Sequence, residues 1–164
     1  SSAASDVYKR QGTAWEPEDT VSRSPMESSQ ESLFEQAMDR YQAGASAAEI
    51  LPDFLRITES APQQSAGWTC LAWLQLLCDQ PDEALRSARF AVKLNPQDPQ
   101  ARINLSLALL ETQSKGVRDH IQVVQQVLTM APQVAEELKG ALDDGQQRRP
   151  DWAALEKVRS WLTL

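Results

Sequence analysis

The amino-acid sequence predicts an all-α protein, a right-handed solenoid of about three stacked helix pairs. Two patterns support this fold class: apolar residues recur at helical spacing, and prolines close three successive apolar segments. Pro62, Pro96 and Pro132 follow one another at intervals of 34 and 36 residues. A period near 34 residues is typical of helix-pair repeats, which bury their apolar faces by stacking.

The composition fits one globular domain. The 164 residues are 41% hydrophobic and 24% charged, which is enough to bury a core. The net charge of -7 argues against nucleic-acid binding. No apolar run approaches the roughly 18 residues that cross a bilayer, and the sequence does not open with a signal peptide. A cytoplasmic protein without an integral membrane segment is therefore expected.

Residues 1–30 contain almost no periodic apolar pattern, and we expect them to be disordered. The run SSAASDVYKRQ at residues 1–11 is similar to the translation of a sequencing adapter, which makes Met26 a candidate natural start. Two interpretations stay open: residues 1–11 are a non-native artefact, or Tyr8 and Trp15 form a short partner-binding motif.

The middle repeat, residues 65–98, has the clearest pattern. A first helix carries one apolar face, and a second helix begins near Pro81 after a cluster of helix-breaking residues. The repeat resembles the tetratricopeptide family, and the matching residues are Trp68, Leu71, Ala72, Ala84, Ala91 and Pro96. This resemblance implies a solenoid with a concave groove. Trp68 is expected to be buried in the core of the solenoid. The texture of the sequence is also similar to that of small cyanobacterial, hence bacterial, members of the family.

The repeats are predicted over residues 31–132, with flanking units at 31–64 and 99–132. In the first unit the second helix is expected to begin near Ala47 with Ser46 as its cap, which leaves Pro52 near the first turn. In the last unit the loop around Gly116 absorbs the two extra residues.

Residues 133–164 are predicted to form C-terminal capping helices. The first is expected to break at Asp143, Asp144 and Gly145, and the second to open at Pro150 and Asp151. An apolar stripe on the second helix contains Trp152, Leu155, Val158, Trp161 and Leu162. This stripe either covers the end of the solenoid or exposes its tryptophans as a docking surface.

No set of catalytic or metal-binding residues is recognised. His120 is the single histidine, and Cys70 and Cys78 are interpreted as plain apolar side chains rather than as ligands. A nucleophile with its base and a phosphate-binding glycine loop are both missing from the pattern. The sequence therefore predicts a protein that is not an enzyme and that needs no cofactor and no metal.

The resemblance implies that partner contacts come from the first helices, which line the groove. Trp73 has two open interpretations, as an anchor for a partner in the groove or as a filler between repeats. Asn104 alone fits the pattern by which some members hold a terminal carboxylate, so that mode of binding is not expected. The predicted partner-binding residues are Thr69, Trp73, Leu76, Ile103, Asn104, Leu107 and Glu111.

These features predict a non-catalytic protein–protein interaction module or assembly scaffold that binds a short peptide or helix in the groove. The alternative is a self-associating structural protein, a homo-oligomer that uses the groove or the C-terminal tryptophan stripe.

Overall fold

The computed structural model describes the backbone of residues 25–164 and the side chains of residues 33–164. Regular secondary structure in this part of the chain is entirely α-helical, which confirms the predicted fold class. The expectations for residues 1–24 lie outside the described residues. The helices are α1 (Pro25–Gln42), α2 (Ala47–Ser60), α3 (Ser65–Leu77), α4 (Pro81–Leu94), α5 (Pro99–Glu111), α6 (Val117–Met130), α7 (Val134–Arg148) and α8 (Ala153–Leu162).

The first six helices form three pairs, and each helix packs on the next along the chain. The first helices of the second and third pairs, α3 and α5, also contact each other directly. Both are buried along most of their length, whereas α4 is buried only on the face that carries Ala84, Ala88 and Ala91. The small alanine side chains allow close helix packing, which produces a layer of first helices covered by second helices.

The 34-residue period is visible in the local geometry. The chain leaves α3 through Asp79 and leaves α5 through Gln113, and both residues have positive φ, 57° and 55°. At the opposite end of the same helices, the Trp68 indole nitrogen donates to the Pro62 carbonyl at 2.8 Å, and Arg102 Nε donates to the Pro96 carbonyl at 2.9 Å. Arg102 therefore repeats the hydrogen bond of the tryptophan that it replaces.

The helix boundaries agree with the sequence pattern from α2 to α6 and differ in α1 and in the two C-terminal helices. Ser46 caps α2, where its hydroxyl accepts from the Glu49 amide at 3.2 Å, as expected. Helix α1 begins at Pro25 rather than at residue 31, so the end of the segment expected to be disordered is helical.

Helix α7 runs through the residues that were expected to break it and ends at Arg148. Gly145 is buried inside this helix, where tertiary packing outweighs its low helix propensity. Helix α8 begins at Ala153, so Trp152 precedes the last helix instead of lying within it.

The two C-terminal helices pack back onto the repeats. Helix α8 packs against α5 and α6, while the end of α7 reaches back to the first helix pair, because Arg148 donates to the carbonyls of Tyr41 and Ala45. The segment from Val134 to Leu164 therefore lies across the layer of first helices, on the face expected to form the groove.

Candidate functional site

The predicted partner-binding residues lie in the interior. Trp73 is 2% exposed, so it does not face an open groove in the described conformation. It packs against the C-terminal segment, which neither of its two interpretations included. Glu111 is half-buried. Side chains with no exposed surface are Thr69, Leu76, Ile103, Asn104 and Leu107.

The residues that cover Trp73 come from the C-terminal segment. The ring centroids of Trp73 and Trp152 lie 5.5 Å apart with the planes tilted by 45°. Trp152 is itself 1% exposed, so of the two tryptophans on the predicted stripe only Trp161 keeps an exposed surface. This pair of large aromatic side chains is the apolar centre of the contact between the concave face and the C-terminal segment.

Gly145 permits this close approach. A Cβ atom at this position would lie 2.7 Å from two ring atoms of Trp73 and 3.3 Å from the ring of Trp152. These ring atoms belong to rigid, buried side chains that have little room to move. Helix α7 therefore passes over Trp73 at a distance that glycine alone accommodates without a shift.

A buried polar network surrounds the aromatic centre. The Trp73 indole nitrogen donates to the Tyr41 hydroxyl at 3.0 Å, and this hydroxyl donates to the Asp144 carboxylate. Burial, followed by the negative charge of Asp144, raises the pKa of Tyr41 well above its usual range. Tyr41 thus remains a protonated donor and connects α1, α3 and α7.

Two arginines at the end of α7 complete the attachment. Arg148 lies 3.7 Å from the centroid of the Tyr41 ring and donates to the Tyr41 and Ala45 carbonyls at 2.8 and 2.9 Å. Arg149 donates to the Leu76 carbonyl at 3.0 Å and forms an ion pair with Glu111 at 2.6 Å. These contacts span all three helix pairs. We call Tyr41, Glu111, Asp144, Arg148 and Arg149 the polar clamp.

Asn104 links first helices to each other. Its side-chain amide donates to the Thr69 carbonyl at 2.9 Å, and its oxygen accepts from Gln100 at 2.9 Å. Both of these hydrogen bonds are buried. Asn104 therefore connects α3 and α5 through buried hydrogen bonds.

Sequence reasoning missed most of the polar clamp because it ended the first C-terminal helix near Gly145, before Arg148 and Arg149. One signal was available. Leu138, Ala141 and Leu142 lie at helical spacing, and the same spacing continues to Gly145. A glycine at the next position of an apolar face can indicate a closely packed helix as well as the end of a helix.

The described residues contain no group of three or more side chains arranged to hold a metal ion. Both cysteines are free: Cys70 is buried, and Cys78 is partly buried. Burial raises the pKa of each thiol, which disfavours the reactive thiolate. Among helices α1 to α8, none is long and apolar enough to cross a membrane.

Comparison with known proteins shows a similarity in fold but not in sequence family. No family model matches the chain, and no curated protein is similar to it in sequence. Among solved structures, the type III secretion translocator chaperone SycD of Yersinia enterocolitica, in a crystal structure described as an alternative dimer, is similar with a TM-score of 0.59. The match covers 80% of this chain and 97% of SycD at 15% identity. The chain shares the fold of this chaperone.

Proposed function

We propose that the chain is a non-catalytic protein-binding module whose concave face recognises a helical segment. The observation that carries this proposal is the binding of α7 across the first helices by an aromatic centre and a polar clamp. The similar solved structure is that of a chaperone, which supports a protein as the partner. The cytoplasmic location and the bacterial origin stay predictions.

In this proposal the seven predicted residues form the floor of a helix-binding site, and the chain's own C-terminal segment is the occupant in the described conformation. Thr69, Asn104 and Leu107 shape the floor, Trp73 supplies the apolar anchor, and Glu111 supplies a charge. A partner helix would take the place of α7 and α8 and would use the same contacts.

Two unpartnered atoms favour an exchangeable occupant. Among the described side chains, the buried nitrogen and oxygen atoms without a hydrogen-bond partner are Trp152 Nε1 and Glu111 Oε2. Both lie where the C-terminal segment meets the concave face. An unsatisfied buried polar atom costs about 1–3 kcal/mol. Displacement of the C-terminal segment would expose Trp152 Nε1 to water, and a partner that donates to Glu111 would satisfy the other atom.

Exchange can be tested with a fluorescein-labelled peptide that has the sequence of residues 134–164. The wild-type chain should bind it weakly, because the attached segment competes at a high effective concentration. Replacing Arg148 and Arg149 with alanine weakens the attached segment at the clamp. We therefore expect tighter binding of the peptide by this double variant, measured by fluorescence anisotropy.

The matched control is Lys157→Ala, which removes an exposed charge from α8 without a contact to the concave face. This variant should bind the peptide as the wild type does. Circular dichroism must show that the double variant is still helical. A helical double variant that binds no more peptide than the wild type would contradict the proposal.

Self-association is the second candidate, and the exposed end of α8 favours it. Trp161 is 44% exposed, and Met130 on α6 is 86% exposed. Large apolar side chains with this much exposed surface can mark an interface between proteins. The Trp161 carbonyl accepts from Gln125 on α6, so α8 lies beside that helix. Sedimentation velocity should then show a dimer that Trp161→Ser dissociates, whereas a monomeric wild type would exclude this candidate.

A further inference from the structure

The outer surface of the second repeat carries an exposed aromatic pair. Trp68 of α3 and Phe90 of α4 stack with their ring centroids 4.8 Å apart and their planes at 27°. Phe90 is 51% exposed, although it lies in a helix whose other face is buried. The pair takes no part in the concave face, because the side chains that contact the C-terminal segment are different ones.

Three cations surround Phe90 on the same helix. Arg86 precedes it by one helical turn, Arg89 is adjacent, and Lys93 follows by three residues, and all three are exposed. None of them forms an ion pair in the described part of the chain, whereas Arg40, Arg148 and Arg149 all do. Unpaired cations on this one helix stand out in a protein of net charge -7.

The cationic surface continues onto the third helix pair. Arg102 of α5 donates to Nδ1 of His120 on α6 at 2.8 Å. Burial, the charge of Arg102 and, to a smaller extent, the charge of Arg89 lower the pKa of His120, so Arg89 lies within electrostatic reach of this pair. We call Trp68, Arg86, Arg89, Phe90 and Lys93 the outer patch.

Helix stability does not account for the outer patch. Asp82 and Glu83 in the first turn of α4 and Lys93 in its last turn complement the helix dipole. Arg86 and Arg89 lie in the middle of the helix, where the dipole has little effect. Phe90 keeps about half of its surface exposed beyond its contact with Trp68, so these three side chains are available to a partner.

We propose that the outer patch docks an acidic peptide segment that carries an aromatic residue. The guanidinium groups of Arg86 and Arg89 would pair with carboxylates, and the peptide's aromatic ring would pack against the exposed face of Phe90. Charge complementarity selects this occupant, because the patch carries three exposed cations and no anion in a protein of net charge -7. This surface is separate from the concave face, and the inference does not depend on the proposed function.

The test uses the full chain and a short fluorescein-labelled peptide of glutamate and aspartate around one tryptophan. Fluorescence anisotropy should show binding that weakens as salt is added, since exposed charge pairs are screened. Charge reversal by Arg86→Glu with Arg89→Glu should abolish binding, and Phe90→Ser should weaken it about tenfold. All three positions are exposed, so these variants should remain folded.

The matched control is Arg118→Glu, which reverses an exposed cation on α6 outside the outer patch. It should leave the affinity unchanged. A peptide with serine in place of tryptophan should bind the wild type about as weakly as the tryptophan peptide binds Phe90→Ser.

Four results would overturn the proposal. The first is no binding of the peptide by the wild type at about millimolar concentration, and the second is an equal loss of affinity in Arg118→Glu. The third is tighter binding of a labelled oligothymidine than of the peptide, which would indicate a nucleic-acid surface. The fourth is self-association that Arg86→Glu with Arg89→Glu dissolves, which would assign the patch to a second copy.

Discussion

Two tryptophans of α3 lie five residues apart in opposite surroundings. Trp73 faces the C-terminal segment, is 2% exposed and donates to the Tyr41 hydroxyl. Trp68 faces outward, is partly buried, stacks on an exposed phenylalanine and donates to a loop carbonyl. The residue that carries the family resemblance is therefore the less buried one, while the residue considered for partner contact is in the core.

The difference between the two faces is one of occupancy. The concave face is closed by helices that belong to the chain itself, so its aromatic and polar groups are already bound. The outer patch keeps its cations and its phenylalanine exposed. Under the two proposals, a partner must displace helices to reach the concave face, whereas nothing in the described part of the chain covers the outer patch.

The sharpest test of this comparison exchanges each tryptophan for alanine. Trp73→Ala should lower the free energy of unfolding by about 3–5 kcal/mol, because a buried aromatic is lost and a cavity remains. Trp68→Ala should cost about 1–2 kcal/mol, since part of the ring is already in contact with water. Chemical denaturation measures both values.

A result in the opposite order would break the comparison. If Trp68→Ala were the more destabilising change, the second repeat would depend on its outer aromatic pair more than on its contact with the C-terminal segment. The expectation from the sequence that Trp68 is a core residue would then be recovered.

The sequence contained more information about the closed face than its helical periodicity revealed. The α3 segment, SAGWTCLAWLQLL, is apolar on all sides, whereas α4 alternates between apolar and charged faces. A helix that is apolar all round is buried all round. This pattern predicts that something covers α3 on its concave side, although it does not identify the cover.

The fold class and the period were predictable because their signals are local. The period comes from Pro62, Pro96 and Pro132, and helix starts come from Ser46 and Pro81. The course of α7 was not predictable in the same way. Gly145 has a low helix propensity, and its role depends on Trp73, which lies far away in sequence. The polar clamp likewise joins residues more than a hundred positions apart, such as Tyr41 and Arg148.

The hydroxyl of Tyr41 provides the next test. Tyr41→Phe should cost about 2–3 kcal/mol, because the Trp73 indole nitrogen loses its acceptor and Asp144 loses a donor in a largely buried site. Trp68→Phe is the matched change on the outer face, where the lost hydrogen bond is exposed and should cost less than about 1 kcal/mol. Equal losses in the free energy of unfolding would show that removing a hydrogen bond from the polar clamp costs no more than removing one from the surface.

Gly145→Ala should destabilise the protein by about 1–2 kcal/mol. Overpacking costs about 1–3 kcal/mol, and a Cβ 2.7 Å from a buried ring belongs to the upper part of that range, above the gain of about 1 kcal/mol that alanine brings to a helix. The control is Gly67→Ala, where the new Cβ would lie 3.2 Å from a methyl group of Ile57. Thermal denaturation should rank Gly145→Ala below Gly67→Ala, and the reverse ranking would mean that α7 can lift away from Trp73 freely.

The smallest effect is expected from His120, at the edge of the outer patch. Burial and the adjacent Arg102 lower the pKa of His120 from 6.5, so the unfolded chain binds this proton more readily than the folded chain does. The contribution of His120 is therefore fully present above the unfolded pKa and is lost as the pH falls through the folded pKa. The denaturation midpoint should decrease as the pH is lowered from about 7 to about 5. The decrease should be smaller in His120→Gln, whose side-chain oxygen can still accept from Arg102.

Asp143 serves as the control because Lys139 and Arg159 lower its pKa from 3.8, which places its effect in a more acidic window. If Asp143→Asn flattened the profile near pH 6 and His120→Gln did not, the Arg102–His120 pair would have no influence on stability.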